Sequence, residues 1–418
     1  MRRDSDRKRG LLSTVGPGIL VAATGVGAGD MMTASLGGSV VGLGILWGAL
    51  VGAVLKWFLN EGIARWQMAT GSTLLEGWVR RLGSWIQWVF AVYLLGWTFF
   101  TGGALVTACG VAGTGLLPLC ADPERSKIIW GVIHSAAGLA LVRLGGFKLF
   151  ERLMSACIGV MFVAVVVTAV LVQPGLGAVA SGLVPSIPSG GLGWLLGLLG
   201  GVGGTVTLLS YGYWIREEGR AGEEGLGACR LDLTLGYVMT ALFGVAMVVI
   251  GSTVRISGSG VRVAPILADQ LGQLLGPAGR YVFLLGFWGA VFSSLLGVWQ
   301  SVPYLVADFL SLRRGLDAER RRALDYASTP AYRAYLTGMS VISLPVLFVS
   351  VKRAQLVYGV LGSLFMPLLA FTLLVMNNRG AWVGARFRSG WTANVALSLT
   401  LLFFCFVGVI KAWDALGF

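Results

Sequence analysis

Charge is what this sequence has least of. Only 12% of its 418 residues are Asp, Glu, Lys or Arg, against about 25% in an ordinary soluble chain. A chain so poor in charge, 56% hydrophobic and with a mean hydropathy of +0.79, has no surface to offer water and reads as an integral membrane protein. Histidine is almost missing, with His134 alone, so histidine-rich metal and acid–base sites are excluded. Five cysteines, Cys109, Cys120, Cys157, Cys229 and Cys405, lack paired spacing and read as packing residues, not a disulfide frame or zinc site. No H-E-x-x-H, Ser-Lys or paired-aspartate arrangement points to intramembrane enzymology. No polar stretch is long enough for a soluble domain.

Long apolar runs are abundant instead. Eleven segments reach the roughly 20 residues a spanning helix needs: 12–41, 43–68, 84–112, 127–144, 152–173, 192–215, 231–252, 280–311, 332–350, 354–377 and 390–412. They are continuous, without the alternation of a barrel strand, so the fold class is all-α. The apolar run behind "MRRDSDRKRG" is too long for a signal-peptide core and reads as a retained first span. Arginines crowd one set of loops, among them Arg80, Arg81, Arg216, Arg220, Arg230, Arg313, Arg314 and Arg320 to Arg322, which sets the N-terminus inside and, after eleven spans, the C-terminus outside. The formal net charge of +13 thus answers to an anionic leaflet and not to nucleic acid. Two longer connections stand out. The basic one between spans eight and nine predicts a short amphipathic or solvated helix, and the uncharged Gln173 to Trp194 predicts either an ordered or re-entrant cover or a flexible linker.

Glycine is the other surplus, at 63 residues. Most serve close helix packing, but two clusters sit within spans: Gly25, Gly27 and Gly29 in the first, and Gly200, Gly201, Gly203 and Gly204 in the sixth. Five spans separate them. Transporters built from two inverted five-helix repeats place discontinuous helices at corresponding positions and bind substrate there. On that reading the chain is one transmembrane unit, with a first repeat over about 1–175, a second over about 190–378 and an extra helix at about 390–412.

The stretch "GPGILVAATGVGAGDMMTASLGG", Gly16 to Gly38, resembles the first segment of the Nramp family of divalent metal transporters, which begins with Gly-Pro and unwinds at Asp-Pro-Gly-Asn. "ARWQMATGSTLLEGW", Ala64 to Trp78, is similar to the family's second segment at Arg65, Thr70, Gly71, Leu74 and Glu76. The resemblance implies a LeuT-like fold, with helices 1 and 6 broken, that moves a divalent metal across the plasma membrane, with a proton as a possible partner in symport. Its signature positions are altered. Gly27 stands where the family has its metal-binding Asp, and Asp30 at its Asn. Leu208 stands at the Met, Leu209 at the Pro and Ser210 at the His, with Thr205 at an Ala whose carbonyl contributes. The resemblance therefore points to Asp30, Gly27 and Thr205 as metal contacts, and to Thr207, Leu208, Ser210 and Tyr211 as substrate-lining residues. Without the thioether, such a site favours a harder or still partly hydrated cation.

Other readings stay open. Tyr211, Tyr213 and Trp214 offer aromatic faces to an organic cation or amino-acid-like solute, and altered motifs also fit a non-transporting sensor. The family's acidic residue in span three and histidine in span six are absent, so proton coupling falls to Asp30 or Glu61, or the protein is a uniporter. Asp30, an ionisable group within a span, either contacts substrate or caps the second half-helix. Glu61 and Arg65, four apart, pair on one helix face, and Lys56 reaches toward Asn60 or snorkels. Gln300, Ser293 and Ser294 line a pathway in span eight, while Asp308 meets water at its end. Asn377 and Asn378 cap span ten. His134 is structural.

Overall fold

Leu46–Thr70 shows why these runs become helices. Its 25 residues rise about 37 Å, enough to cross a hydrocarbon core of roughly 30 Å. A helix also satisfies its own backbone donors and acceptors where no water can. It stops at Gly71, whose φ of 65° lies in the left-handed region that a Cβ disfavours.

The structure is a computed structural model and describes residues 28–144, 159, 162–201, 203–256 and 258–416. Its principal helices are α1 (Ala34–Val41), α2 (Leu46–Thr70), α3 (Ser84–Leu116), α4 (Pro123–Leu144), α5 (Leu192–Gly201), α6 (Ser210–Glu217), α7 (Gly222–Ser252), α8 (Val263–Arg313, turning at Gly276), α9 (Pro330–Ile342), α10 (Val351–Ser363), α11 (Phe365–Asn377) and α12 (Trp391–Leu416). Among the described residues, seven helices are long and apolar enough to cross a membrane. One of them, Met31–Thr70, contains the end of the expected first span and the whole of the second. The expected span at 390–412 is covered by the 26-residue helix Trp391–Leu416, and the part of 152–173 that is described from 162 onward is the apolar helix Phe162–Leu171. The ninth begins with Pro330 and gives way, after Ser343, to the tight turn Leu344–Phe348.

Small residues set the packing. α5 lies against α10 so closely that a Cβ at Gly200 would sit 2.2 Å from the Gly359 carbonyl oxygen. α1 meets α7 in the same way, with Gly251 against the Ser35 carbonyl. α7 also packs along α2, α8 along α3, and α12 along α11 and α2.

The uncharged connection from Gln173 to Trp194 is ordered. It carries the helix Leu176–Gly182, whose Gly182 abuts the Leu43 carbonyl, and Trp47 Nε1 donates to Ser186 O at 2.8 Å. The basic connection carries the short helix Ala318–Ala323, capped by Asp317.

Candidate functional site

The chain is irregular in both segments where glycines cluster. Ala28–Thr33 winds as a wide π turn before α1. Asp30 stands within this turn, but its side chain and all of Gly27 lie outside the described residues. Met31, Met32 and Thr33 are fully buried, and the Thr33 hydroxyl has no hydrogen-bond partner. Ser35 turns its hydroxyl back to the carbonyls of Met31 and Met32. The turn rests on α5, since a Cβ at Gly197 would sit 3.0 Å from Thr33 Cγ2.

The second irregularity is a full break. α5 ends at Gly201, and Gly203 and Gly204 take φ of 74° and 87°, conformations that only glycine adopts without strain. Thr205 follows at φ −135°, ψ −103°, then the tight turn Val206–Leu209 and α6. The Gly204 N–H bonds to Gly201 O at 3.3 Å instead of to Gly200 four residues back, so the last carbonyls of α5 need other donors. Lys56 supplies one, donating from Nζ to Gly200 O at 2.8 Å while 1% exposed. This corrects the expected course of Lys56 toward Asn60 or the interface. Asn60 donates to the Tyr237 hydroxyl instead, at 2.8 Å, because the break leaves an electronegative helix end within reach of α2.

Around the break the expected lining residues are buried but differently engaged. The Thr205 hydroxyl accepts a 2.8 Å bond from Trp97 Nε1 of α3, and its carbonyl accepts from Leu208 N at 3.0 Å. Thr207 and Leu208 are buried, and buried Ser210 keeps a hydroxyl with no hydrogen-bond partner. Tyr211 points its hydroxyl away to α7, donating to Asp232 Oδ2 at 3.2 Å and Cys229 O at 3.3 Å. In α8, Ser294 is buried and Gln300 is half-buried, its Oε1 without a hydrogen-bond partner.

The arginine-rich end of the bundle is closed by ion pairs. Glu61 accepts from Arg65 at 2.5 Å, forming the expected pair, and also from Arg230 at 2.8 Å. Glu76 accepts from Arg80 at 3.0 Å and Arg321 at 2.5 Å. Arg321 reaches on to Asp308 Oδ1 at 3.3 Å, and Asp308 also accepts from Tyr213 at 2.6 Å and Tyr326 at 2.7 Å. Asp308 is 0% exposed, so the expectation that it meets water is overturned: the connection carrying Arg321 and Tyr326, together with α6, folds over it. Burial, followed by the Asp308 carboxylate, pushes the Tyr326 phenol above its ordinary value. For Arg321 burial opposes the charge, but the Glu76 hydrogen bond and the nearby carboxylates outweigh it, and its pKa rises. Asp232 is bound by Arg220 at 3.0 Å.

One further expectation changes. Asn377 donates to Gly62 O at 2.9 Å, joining α11 to α2 instead of capping, whereas Asn378 is the C-cap of α11, donating to Leu374 O at 2.8 Å, and also exchanges amide bonds with Asn394 of α12 at 2.8 and 3.0 Å. His134 is held at both ring nitrogens, Nδ1 by Trp130 O and Nε2 by Trp288 Nε1, each at 2.7 Å. Among the described residues no three His, Cys, Asp or Glu gather as a metal-binding set. Sequence reasoning passes over Trp97, the Lys56 bond, and the Asp308 and Arg321 cluster. Only Asp308, an acid ending the apolar run "YLVADFL", carries a local signal.

Comparison with known proteins accounts for this architecture. Residues 18–414 match the family model described as Nramp, natural resistance-associated macrophage protein-like. The divalent metal cation transporter MntH of Deinococcus radiodurans is 24% identical over 87% of this chain and 82% of its own. The crystal structure of the Eremococcus coleocola manganese transporter superposes with a TM-score of 0.75 at 18% identity, covering 98% of this chain and 88% of that one. Mhp1, a nucleobase-cation-symport-1 family transporter, shares the LeuT-like fold at a TM-score of 0.55 and 14% identity over 94% of this chain and 91% of its own. With the family model running almost from end to end, this all-α multi-pass membrane protein belongs to the Nramp family.

Proposed function

We propose that the protein is a secondary transporter that carries a divalent metal cation by alternating access around its two discontinuities. The observation that carries this reading is the break from Gly203 to Leu209, beside a first segment that is itself wound as a π turn at Asp30, in a chain of the Nramp family. Broken helices free carbonyls and helix ends at membrane depth, which is where such transporters bind their cargo. Relatives named as divalent metal and manganese transporters support the cargo class.

Asp30 supplies the one carboxylate of the proposed site, with backbone carbonyls at Gly27 and Thr205 and the hydroxyls of Thr207 and Ser210 completing an oxygen-rich set. Leu208, in place of the family's methionine, removes the soft ligand and shifts selectivity toward harder cations. The two repeats and the extra helix divide as the sequence suggests, in a plasma membrane with the arginine-rich end inside. Organic-cation transport would need free aromatic faces at the break, whereas the Tyr213 ring already carries the Arg216 guanidinium 5.4 Å from its centroid and meets Tyr304 edge-on.

The test is uptake in proteoliposomes against a panel of divalent cations, with a pH dye inside and Asp30→Ala as control. Saturable uptake of at least one divalent metal, lost in Asp30→Ala, is expected, and the dye separates proton symport from uniport. No saturable metal flux in the parent protein would sink the metal reading. Flux unchanged in Asp30→Ala would move the site elsewhere.

A further inference from the structure

We infer that Lys56 is a tethered cation, whose ammonium fills the seat that a free monovalent cation would take at the broken end of α5. The C-terminal end of a helix carries a partial negative charge of about half an electron, and the exposed carbonyls of a broken half-helix are natural ligands for Na⁺. Here the Gly200 carbonyl, released from its intrahelical donor by the turn at Gly203 and Gly204, receives the Lys56 ammonium at 2.8 Å.

The surroundings suit a monovalent cation. Asn60 lies four residues on, on the same face of α2, and its buried Oδ1 has no hydrogen-bond partner. Tyr237 and Thr240 of α7 close the same space: a Cβ at Gly203 would sit 3.0 Å from Tyr237 Cε1, 3.4 Å from Thr240 Cγ2 and 3.5 Å from Lys56 Cδ. The Gly200 carbonyl thus holds an ammonium whose stem is walled in beside Tyr237 and Thr240, so that it cannot diffuse away. The break is electrostatically satisfied before any solute arrives, so the parent protein gains no stability from a second cation at this end. Removing the amine uncovers a seat for one.

Thermal unfolding of the full-length protein in detergent tests this, and it reads the seat whether or not metal transport is found. The parent and Lys56→Arg are expected to unfold at temperatures that do not change when N-methylglucamine is replaced by Na⁺ or n-propylammonium. Lys56→Ala is expected to unfold at a lower temperature and to recover several degrees with n-propylammonium or Na⁺, but not with n-propanol, which has the shape without the charge. Lys56→Met keeps most of the stem and loses the charge, and is expected to fall below Lys56→Arg. Equal rescue of Lys56→Ala by n-propanol would make Lys56 a space-filler and overturn the inference. So would Lys56→Met matching the parent, or the parent showing the same cation dependence as Lys56→Ala.

Discussion

Arg321 is 4% exposed and touches two carboxylates, Glu76 and Asp308, that belong to different parts of the chain. Removing one partner of a buried ion pair leaves the others charged and dry, which costs about 3–5 kcal/mol. Arg321→Gln is therefore expected to lower the unfolding temperature strongly. Asp308→Asn added to it should cost less than the sum of the single changes, because the two residues share one network. A double-mutant cycle by thermal unfolding checks this, and strict additivity would dissolve the cluster as a unit. Tyr326 gives the same cluster a pH dependence. Its folded pKa is raised, so folding binds the phenol proton more tightly; this stability is fully present below the ordinary phenol value of about 10 and is lost above it. Tyr326→Phe should flatten part of the alkaline limb of the stability curve while losing one hydrogen bond to Asp308. At the second break, Thr205→Val takes away the acceptor of Trp97 Nε1 and leaves a buried donor unpaired. A loss of about 1–3 kcal/mol is expected, together with a shifted tryptophan emission.

Helices were more legible than contacts. Each described apolar run is helical over most of its length, the break in the sixth being the main exception, because a helix lets a backbone satisfy itself in lipid. The break in the sixth segment was visible as Gly203 and Gly204, since only glycine takes their positive φ without cost. Gly204→Ala is expected to cost about 1–2 kcal/mol from backbone strain and to cut uptake in the proteoliposome assay; full activity would mean that the break tolerates a Cβ. The partners of these elements were not legible. Lys56 meets Gly200 across 144 positions of sequence, and no local pattern records that approach. Asp308 was misplaced for the same reason: its register said helix end, and only the fold of the connection carrying Arg321 and Tyr326 over it shows that water is excluded.

For the molecule as a whole, the division of charge between its two ends predicts how it sits in the bilayer. Cys120 lies in the connection before α4, partly exposed and away from the arginine-rich end, while Cys109 and Cys229 are buried and Cys405 is exposed on α12. On intact cells a membrane-impermeant maleimide is expected to label Cys120 without permeabilisation, in a variant whose Cys157 and Cys405 are replaced by serine. Labelling only after permeabilisation would reverse the proposed orientation. The composition announced a membrane protein, but it was silent on how the ends are closed. One is strapped by the ordered connection tied down at Trp47 and Ser186, the other is locked by carboxylates and guanidinium groups.

That second closure is a latch and not a plug. An apolar plug resists opening because every exposed carbon meets unwilling water. Charged groups lose their partners on opening but recover hydration, and mobile ions then screen them. In the proposed transport cycle the arginine-rich end should thus unlock more readily as ionic strength rises on its own side, so that dissolved salt acts as a key.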